Sequence, residues 1–371
     1  MVNYCCRCIL PDTKPSVSID ESGVCSVCHC YDRYKGIDYK LLENKLLRYI
    51  YDANVNSTSK YNCIIPISGG KDSTYQVKKL LKLGIKPLCV SVIPLIMTEV
   101  GRSNLNNIRK LGVSVVEKKI NYSISKKIIR EIFLNIGSIL WLEVLSIFVI
   151  PIKEALKRDI SIIIWGEDPN LDDGYPENAP SIIDLRSWRR KLEGVDVYEL
   201  SKRVNISLQE LSELHIDQDK LIDSRLTGLF LGDYVPWDRL GNAIISQSLG
   251  FKGSQESASH SILPYENLDN PFFGIHNYIN YLKTGSSNIS SICSYLIRRG
   301  ILCRSDAINI ATKMEGIMPD FYMGYSLTKL LSSIDLELSD FQAVCQRVVN
   351  KDFFVVNQKN GKINRKNIWP I

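Results

Sequence analysis

A run of six residues, Ser68-Gly69-Gly70-Lys71-Asp72-Ser73, does more than any other stretch to limit how this chain can fold. It follows Cys63-Ile64-Ile65-Pro66-Ile67, an apolar run of strand length, and precedes Thr74-Tyr75-Gln76-Val77-Lys78-Lys79-Leu80-Leu81, where apolar residues recur at helical spacing. The glycines therefore occupy a strand-to-helix turn. Glycine there permits a positive φ and lets the backbone approach a bound group. The free amides of the following helix, together with its dipole, favour an anion. A Walker loop separates its glycines by four residues; here they are adjacent.

Around this turn the pattern alternates. The run 88–93 reads as a second strand, 98–111 as a helix stopped by Gly112, and 113–116 as a third strand. Residues 123–157 are helical with a break near Gly137, and 160–165 form a fourth strand ending in Gly166-Glu167-Asp168. Strands that are continuously apolar and alternate with helices predict a parallel sheet covered on both faces. Ligands of such sheets sit at the carboxyl ends of the strands, where 68–73, 94–104 and 166–168 would gather. A helix is expected to open at Asp38, and 54–59 reads as a loop. Further on, 170–180 is a polar loop with Asp172-Asp173-Gly174-Tyr175, 197–215 reads as a helix with a Ser207-x-x-Glu210 capping box, and 231–238 is turn-rich. Short helices follow to about 339, and the end carries Lys359, Lys362, Arg365 and Lys366, which read as a solvated basic tail.

The 371 residues suffice for two domains and a sizeable core. The apolar stretch 132–151 approaches membrane-spanning length, but Asn135 and Glu143 interrupt it, so a buried helix is the better reading. The N-terminus lacks a signal-peptide pattern, which predicts a cytoplasmic protein. Six of the 11 cysteines fall in the first thirty residues. Cys5-x-x-Cys8 and Cys25-x-x-Cys28, sixteen residues apart, form two knuckles suited to one tetrahedral structural zinc, with His29, Cys6 and Cys30 nearby. The net charge of +6 suits a phosphorylated substrate and does not demand nucleic acid.

The chemistry expected at the sheet edge follows from residue type. Lys71 neutralises phosphate charge, and the Ser68 and Ser73 hydroxyls with the Gly69 and Gly70 amides cradle oxygens. Asp72 and Glu167 offer the hard oxygen ligands Mg²⁺ requires. The loop resembles the pyrophosphate loop of the ATP pyrophosphatase superfamily. The chain more broadly resembles the N-acetyl sugar amidotransferases of bacterial surface-polysaccharide (lipopolysaccharide, O-antigen) pathways. The matching segments are the four-cysteine N-terminus with Pro11-Asp12-Thr13-Lys14-Pro15, the 68–73 loop, 98–105, Gly166-Glu167-Asp168-Pro169, Tyr234-Val235-Pro236-Trp237-Asp238, and Ile297-Arg298-Arg299-Gly300-Ile301 with Arg304. Where the family continues to Glu-Tyr-Gly, this chain has Asp172-Asp173-Gly174-Tyr175.

The resemblance implies a Rossmann-like α/β sheet of the ATP pyrophosphatase (HUP) type, an N-terminal zinc ribbon and a mostly helical C-terminal region. The expected divisions are 1–35, 60–180 and 181–371. It also implies ATP, Mg²⁺ and Zn²⁺ as cofactors. Lys71 and Asp72 would be catalytic, Ser68, Gly69, Gly70, Lys71, Asp72, Ser73 and Glu167 would bind nucleotide, and Asp72 and Glu167 would hold magnesium. The implied reaction turns an acetamido group of a sugar into an acetamidino group through an adenylated imidate, with ammonia from a partner glutaminase. A tRNA-modifying pyrophosphatase of the thiolase or lysidine type, and a non-catalytic nucleotide-binding zinc-ribbon adaptor, are the alternatives.

Overall fold

The computed structural model describes residues 2–168, 182–183, 196–254, 261–357 and 362–366. Pro169, the 170–180 loop with Asp172 and Asp173, and Lys359 lie outside the described residues.

The central sheet is built from the strands the pattern predicts. β1 (Cys63–Pro66), β2 (Pro87–Val92), β3 (Ser114–Lys118) and β4 (Ile162–Trp165) are parallel, with Ile64 opposite both Leu88 and Ile163. β6 (Thr227–Phe230) adds a fifth parallel strand beside β4, and β5 (Ile182–Ile183) pairs antiparallel at the edge, giving the order β3-β2-β1-β4-β6-β5. This is a Rossmann-like α/β fold. β6 was not legible as a strand: it has four residues, one of them Gly228, and no alternation. It also carries the sheet past residue 180, where the sequence reading ended that unit.

Both faces of the sheet are buried, which is why the strands are apolar without interruption. Ile64, Leu88, Val90 and Ile163 pack under α5 (Tyr122–Ile136) and α6 (Trp141–Arg158). Cys63, Ile65, Cys89, Ile162 and Ile164 pack on the opposite side with residues of α2 (Tyr39–Asn54), α3 (Lys71–Lys82) and α4 (Glu99–Arg109). Gly137, left-handed at φ 70°, ends α5 as expected. No described helix is long and apolar enough to cross a membrane; α6 is instead buried against the sheet.

Two expectations are corrected. The stretch 197–215 is not one helix: the helix Val197–Val204 stops at left-handed Asn205, and Ser207 and Glu210 bond each other around a turn before the 3-10 turn Ser212–Leu214. The described part of the basic tail is not all solvated: Lys362 and Lys366 are exposed, but Arg365 is half-buried. Strands Phe354–Val356 and Ile363–Arg365 form an antiparallel hairpin, and Arg365 donates to Tyr4 Oη at 2.7 Å.

The N-terminal lobe docks on the C-terminal helices. Ile9 packs among Ile289, Cys293 and Ile308, its amide donates to Ser294 Oγ, and Arg304 donates to the Cys8 carbonyl at 3.1 Å. Tyr34, just after α1 (Ser26–Arg33), reaches the sheet by donating to Asp168 at 3.0 Å.

Candidate active site

β1 and β4 are the neighbours from which the chain leaves in opposite directions across the sheet, so their carboxyl ends flank a switch point. The 68–73 loop follows one and Gly166-Glu167 the other. Between them lies a cavity of about 410 Å³, lined by all seven residues expected to hold nucleotide: Ser68, Gly69, Gly70, Lys71, Asp72, Ser73 and Glu167. That volume is in the range of small-molecule sites. Asp168 is fully buried, and with Tyr34 it serves to fasten the lobe.

The loop's shape requires its glycine. Gly69 has φ +96°, and a Cβ there would stand 2.8 Å from the Leu105 amide nitrogen. Gly70 caps α3, and the serines tie the loop to itself: Ser68 Oγ accepts from the Gly70 amide at 3.2 Å, and Ser73 Oγ accepts from the Ser68 amide at 3.1 Å.

Lys71 is the first residue of α3, and its side chain is only 6% exposed. Its ammonium lies 2.8 Å from Asp72 Oδ2 and 3.2 Å from Glu266 Oε1. Burial opposes the charge, but Asp72 and then Glu266 outweigh it and raise the lysine pKa. The helix Arg239–Ser248 braces this pair: Asn242 donates to Asp72 Oδ1 at 2.9 Å and Ser246 to the Lys71 carbonyl at 2.6 Å. Tyr75 and Trp237 lock the same junction edge to face, centroids 5.5 Å apart. Asp72 is thus a lysine partner in this structure. Among the described residues it belongs to no cluster of three or more metal-binding side chains.

The opposite wall was invisible to motif reading. Segment 265–270 lies across the start of α4, where the Thr98 amide donates to the Asp269 carbonyl at 3.0 Å. A Cβ on Gly101 would come within 2.6 Å of Asp269 Cα. This contact brings Glu266, Asp269 and Asn270 to the cavity, where Glu143 and His276 join them. Burial raises the Glu143 carboxyl to about 7 and Asp269 to about 6, and lowers His276 to about 4. Glu143 Oε1 accepts from Asn270 at 3.4 Å, whereas the buried Oε2 has no partner among the described residues. No short pattern links these positions; only the tertiary fold does.

The raised carboxyls set a pH dependence. Glu143 and Asp269 hold more protons folded than unfolded between their ordinary values of 4.5 and 3.8 and about 7 and 6. Their contribution to stability therefore falls as pH rises through that window. Glu143→Gln should leave stability unchanged below about pH 4 and raise it at pH 8 by on the order of 3 kcal/mol. Thermal melts across pH check this; a variant with the parent's pH slope would contradict it.

A second site sits apart in the N-terminal lobe. The sulfurs of Cys5, Cys8, Cys25 and Cys28 all lie within 4.8 Å of one another, with Cys5–Cys28 at 3.9 Å and Cys8–Cys25 at 3.6 Å. A zinc with sulfurs at about 2.3 Å sets them roughly 3.8 Å apart in a tetrahedron, so these four residues fit the ion. Amides support the cluster: Cys8 and Cys25 donate to Cys5 Sγ at 3.4 and 3.2 Å. The nearby spares are occupied elsewhere, His29 with Asp20 and Cys30 with Arg33.

No family model matches the chain, and no curated protein does. Among solved structures, it is similar to an NH3-dependent NAD synthetase from Campylobacter jejuni, in complex with the nitrate ion. Identity is 14%, over 57% of this chain and 93% of that one, with a TM-score of 0.29. It is also similar to an NMN synthetase from Francisella tularensis at 15% identity, over 57% and 94%, with a TM-score of 0.27. Likeness at this level says nothing of what this chain does.

Proposed function

We propose that this chain is an ATP-dependent enzyme of the ATP pyrophosphatase type that amidates an acetamido sugar, forming an acetamidino group. The observation that carries the reading is the glycine loop with buried Lys71, facing Glu167 across one cavity at the switch point. Loop amides and Lys71 suit the β- and γ-phosphates, and positioning with charge neutralisation is the main demand of such chemistry. Mg²⁺ held between phosphates needs only one or two protein carboxylates, and Asp72 and Glu167 fit that role; when bound, the ion makes pyrophosphate a better leaving group.

The acetamido oxygen attacks the α-phosphate and pyrophosphate leaves. Ammonia then adds to the imidate carbon, and the oxygen departs with AMP. The addition releases a proton. Glu143, whose carboxyl burial holds near neutrality, is the acceptor we assign to it. Ammonia is small and easily lost to solvent, so a docked glutaminase that delivers it locally is part of this reading.

The test is labelled ATP with an acetamido nucleotide sugar or acetamido acidic sugar, Mg²⁺ and ammonium. AMP, pyrophosphate and a sugar lighter by about one mass unit are expected, since NH replaces O. ADP and phosphate would overturn the pyrophosphatase assignment, and efficient use of glutamine by the chain alone would overturn the separate glutaminase. Reaction of a tRNA base instead would install the RNA-modifying reading.

A further inference from the structure

The helix Asn288–Arg298 carries Asn288, Ser291, Tyr295 and Arg298 at spacings of three, four and three, one polar stripe along a single helix face. The stripe is half-buried and lies beside Leu10 and Lys14 of the N-terminal lobe. With Lys14 and Arg239 it lines a second cavity of about 200 Å³. Three of these six side chains are cations, and no carboxylate among the described residues lines the space.

Two acids that contact lining residues are already committed. Asp238 accepts from Tyr295 Oη at 2.6 Å and from the Gly241 amide at 2.8 Å, and pairs with Arg299 at 3.3 Å. Glu266 stands between Arg239, at 4.0 Å, and Lys71, at 3.2 Å. Two donors in the lining are nevertheless unanswered: Arg298 Nη1 and Asn288 Nδ2 are buried and have no hydrogen-bond partner among the described residues. A buried donor without a partner is costly, and a charged one more so. The arrangement asks for an acceptor with negative charge.

We propose that this cavity is an oxyanion site, taking a phosphate or carboxylate group between Arg298, Asn288, Arg239 and Lys14. Arginine's fork suits either group. Glu266 belongs to the lining of the large cavity and to the ion pair with Arg239, so the two cavities share one ionic wall. The occupant is the acidic group of the acceptor: the phosphate of a nucleotide-linked sugar or the carboxylate of an acidic sugar. That last assignment rests on the amidation reading; the oxyanion site itself does not.

The test is calorimetric titration of the full chain with inorganic phosphate at low salt. Phosphate should still bind this site in Lys71→Met, which disables the loop. Arg298→Gln in that background should weaken it about tenfold or more, the loss of one charge-assisted bond. Asn288→Asp, which leaves the arginine but adds a repelling charge, should do the same, and it keeps the test alive should Arg298→Gln fail to fold. Unchanged phosphate affinity in a folded Arg298→Gln or Asn288→Asp, or no binding in Lys71→Met, would overturn the site. Competition then separates the sources. Displacement of phosphate by a nucleotide-linked acetamido sugar assigns the phosphate, displacement by a carboxylated one assigns the carboxylate, and displacement by neither overturns the acceptor assignment. Phosphate binding without sugar amidation leaves the site standing and sinks the amidation reading; amidation without such binding does the reverse.

Discussion

Lys71→Met is expected to lower AMP formation roughly a hundred- to a thousandfold, the scale seen when one preorganised donor to developing charge is removed. Methionine keeps the apolar stem, so the loss would be of charge and not of packing. The substitution should also destabilise the chain. Lys71 neutralises Asp72, whose side chain is 34% exposed, and Glu266, whose side chain is 9% exposed. Breaking a buried pair by removing one partner costs about 3–5 kcal/mol, because the other charge stays behind. Asp72 keeps its bond from Asn242 and Glu266 its longer pair with Arg239 at 4.0 Å, so the more buried Glu266 carries the larger part of that penalty. The double variant Lys71→Met, Glu266→Gln should therefore regain much of the stability and none of the turnover. Melting temperature and AMP release measured on both variants separate the two effects. A Lys71→Met enzyme with near-normal turnover would remove the lysine from the mechanism. A double variant no more stable than the single would show that the Glu266 pair is not what holds this wall.

The second large effect concerns the cysteines. Cys8→Ser, or removal of metal by a chelator, should unfold the N-terminal lobe as a unit. Its buried core is little more than Leu10, Val17 and Val27 around the four sulfurs, too small to order itself. Structural zinc contributes roughly 10–16 kcal/mol to comparable small modules. Because Ile9 and the Cys8 carbonyl dock on the helices 288–298 and 304–314, losing the lobe would bare Ile289, Cys293 and Ile308. Elemental analysis should show about one zinc per chain. Limited proteolysis should cut the metal-free form before residue 35 first, and that form should aggregate more readily. A metal-free chain with unchanged protease resistance and melting temperature would rule out a structural metal.

Sequence alone carried the parallel sheet through β4, the glycine turn and the cysteine quartet. Each rests on short-range chemistry: apolar runs buried on two faces, a backbone that only glycine can adopt at Gly69, and ligand spacing within a few residues. The same locality explains why the seven expected nucleotide residues share one cavity, since strand ends in one parallel sheet converge by topology. What lay beyond that reach was decided by contacts across long separations. β6 is a strand because β4 offers it an open edge, and not because of its own four residues. Glu266, which lies beyond the last strand of the central sheet in sequence, meets Lys71 at 3.2 Å, and Asp269 reaches the cavity because Gly101 leaves room for its backbone. Arg299 and Asp238 lie in separate family-like segments, yet they are partners here. Arg365, in a stretch that reads as a solvated tail, instead reaches back to Tyr4. Charge and hydrogen-bonding partners follow distance in space, and residue order constrains that distance only within a turn or a strand pair.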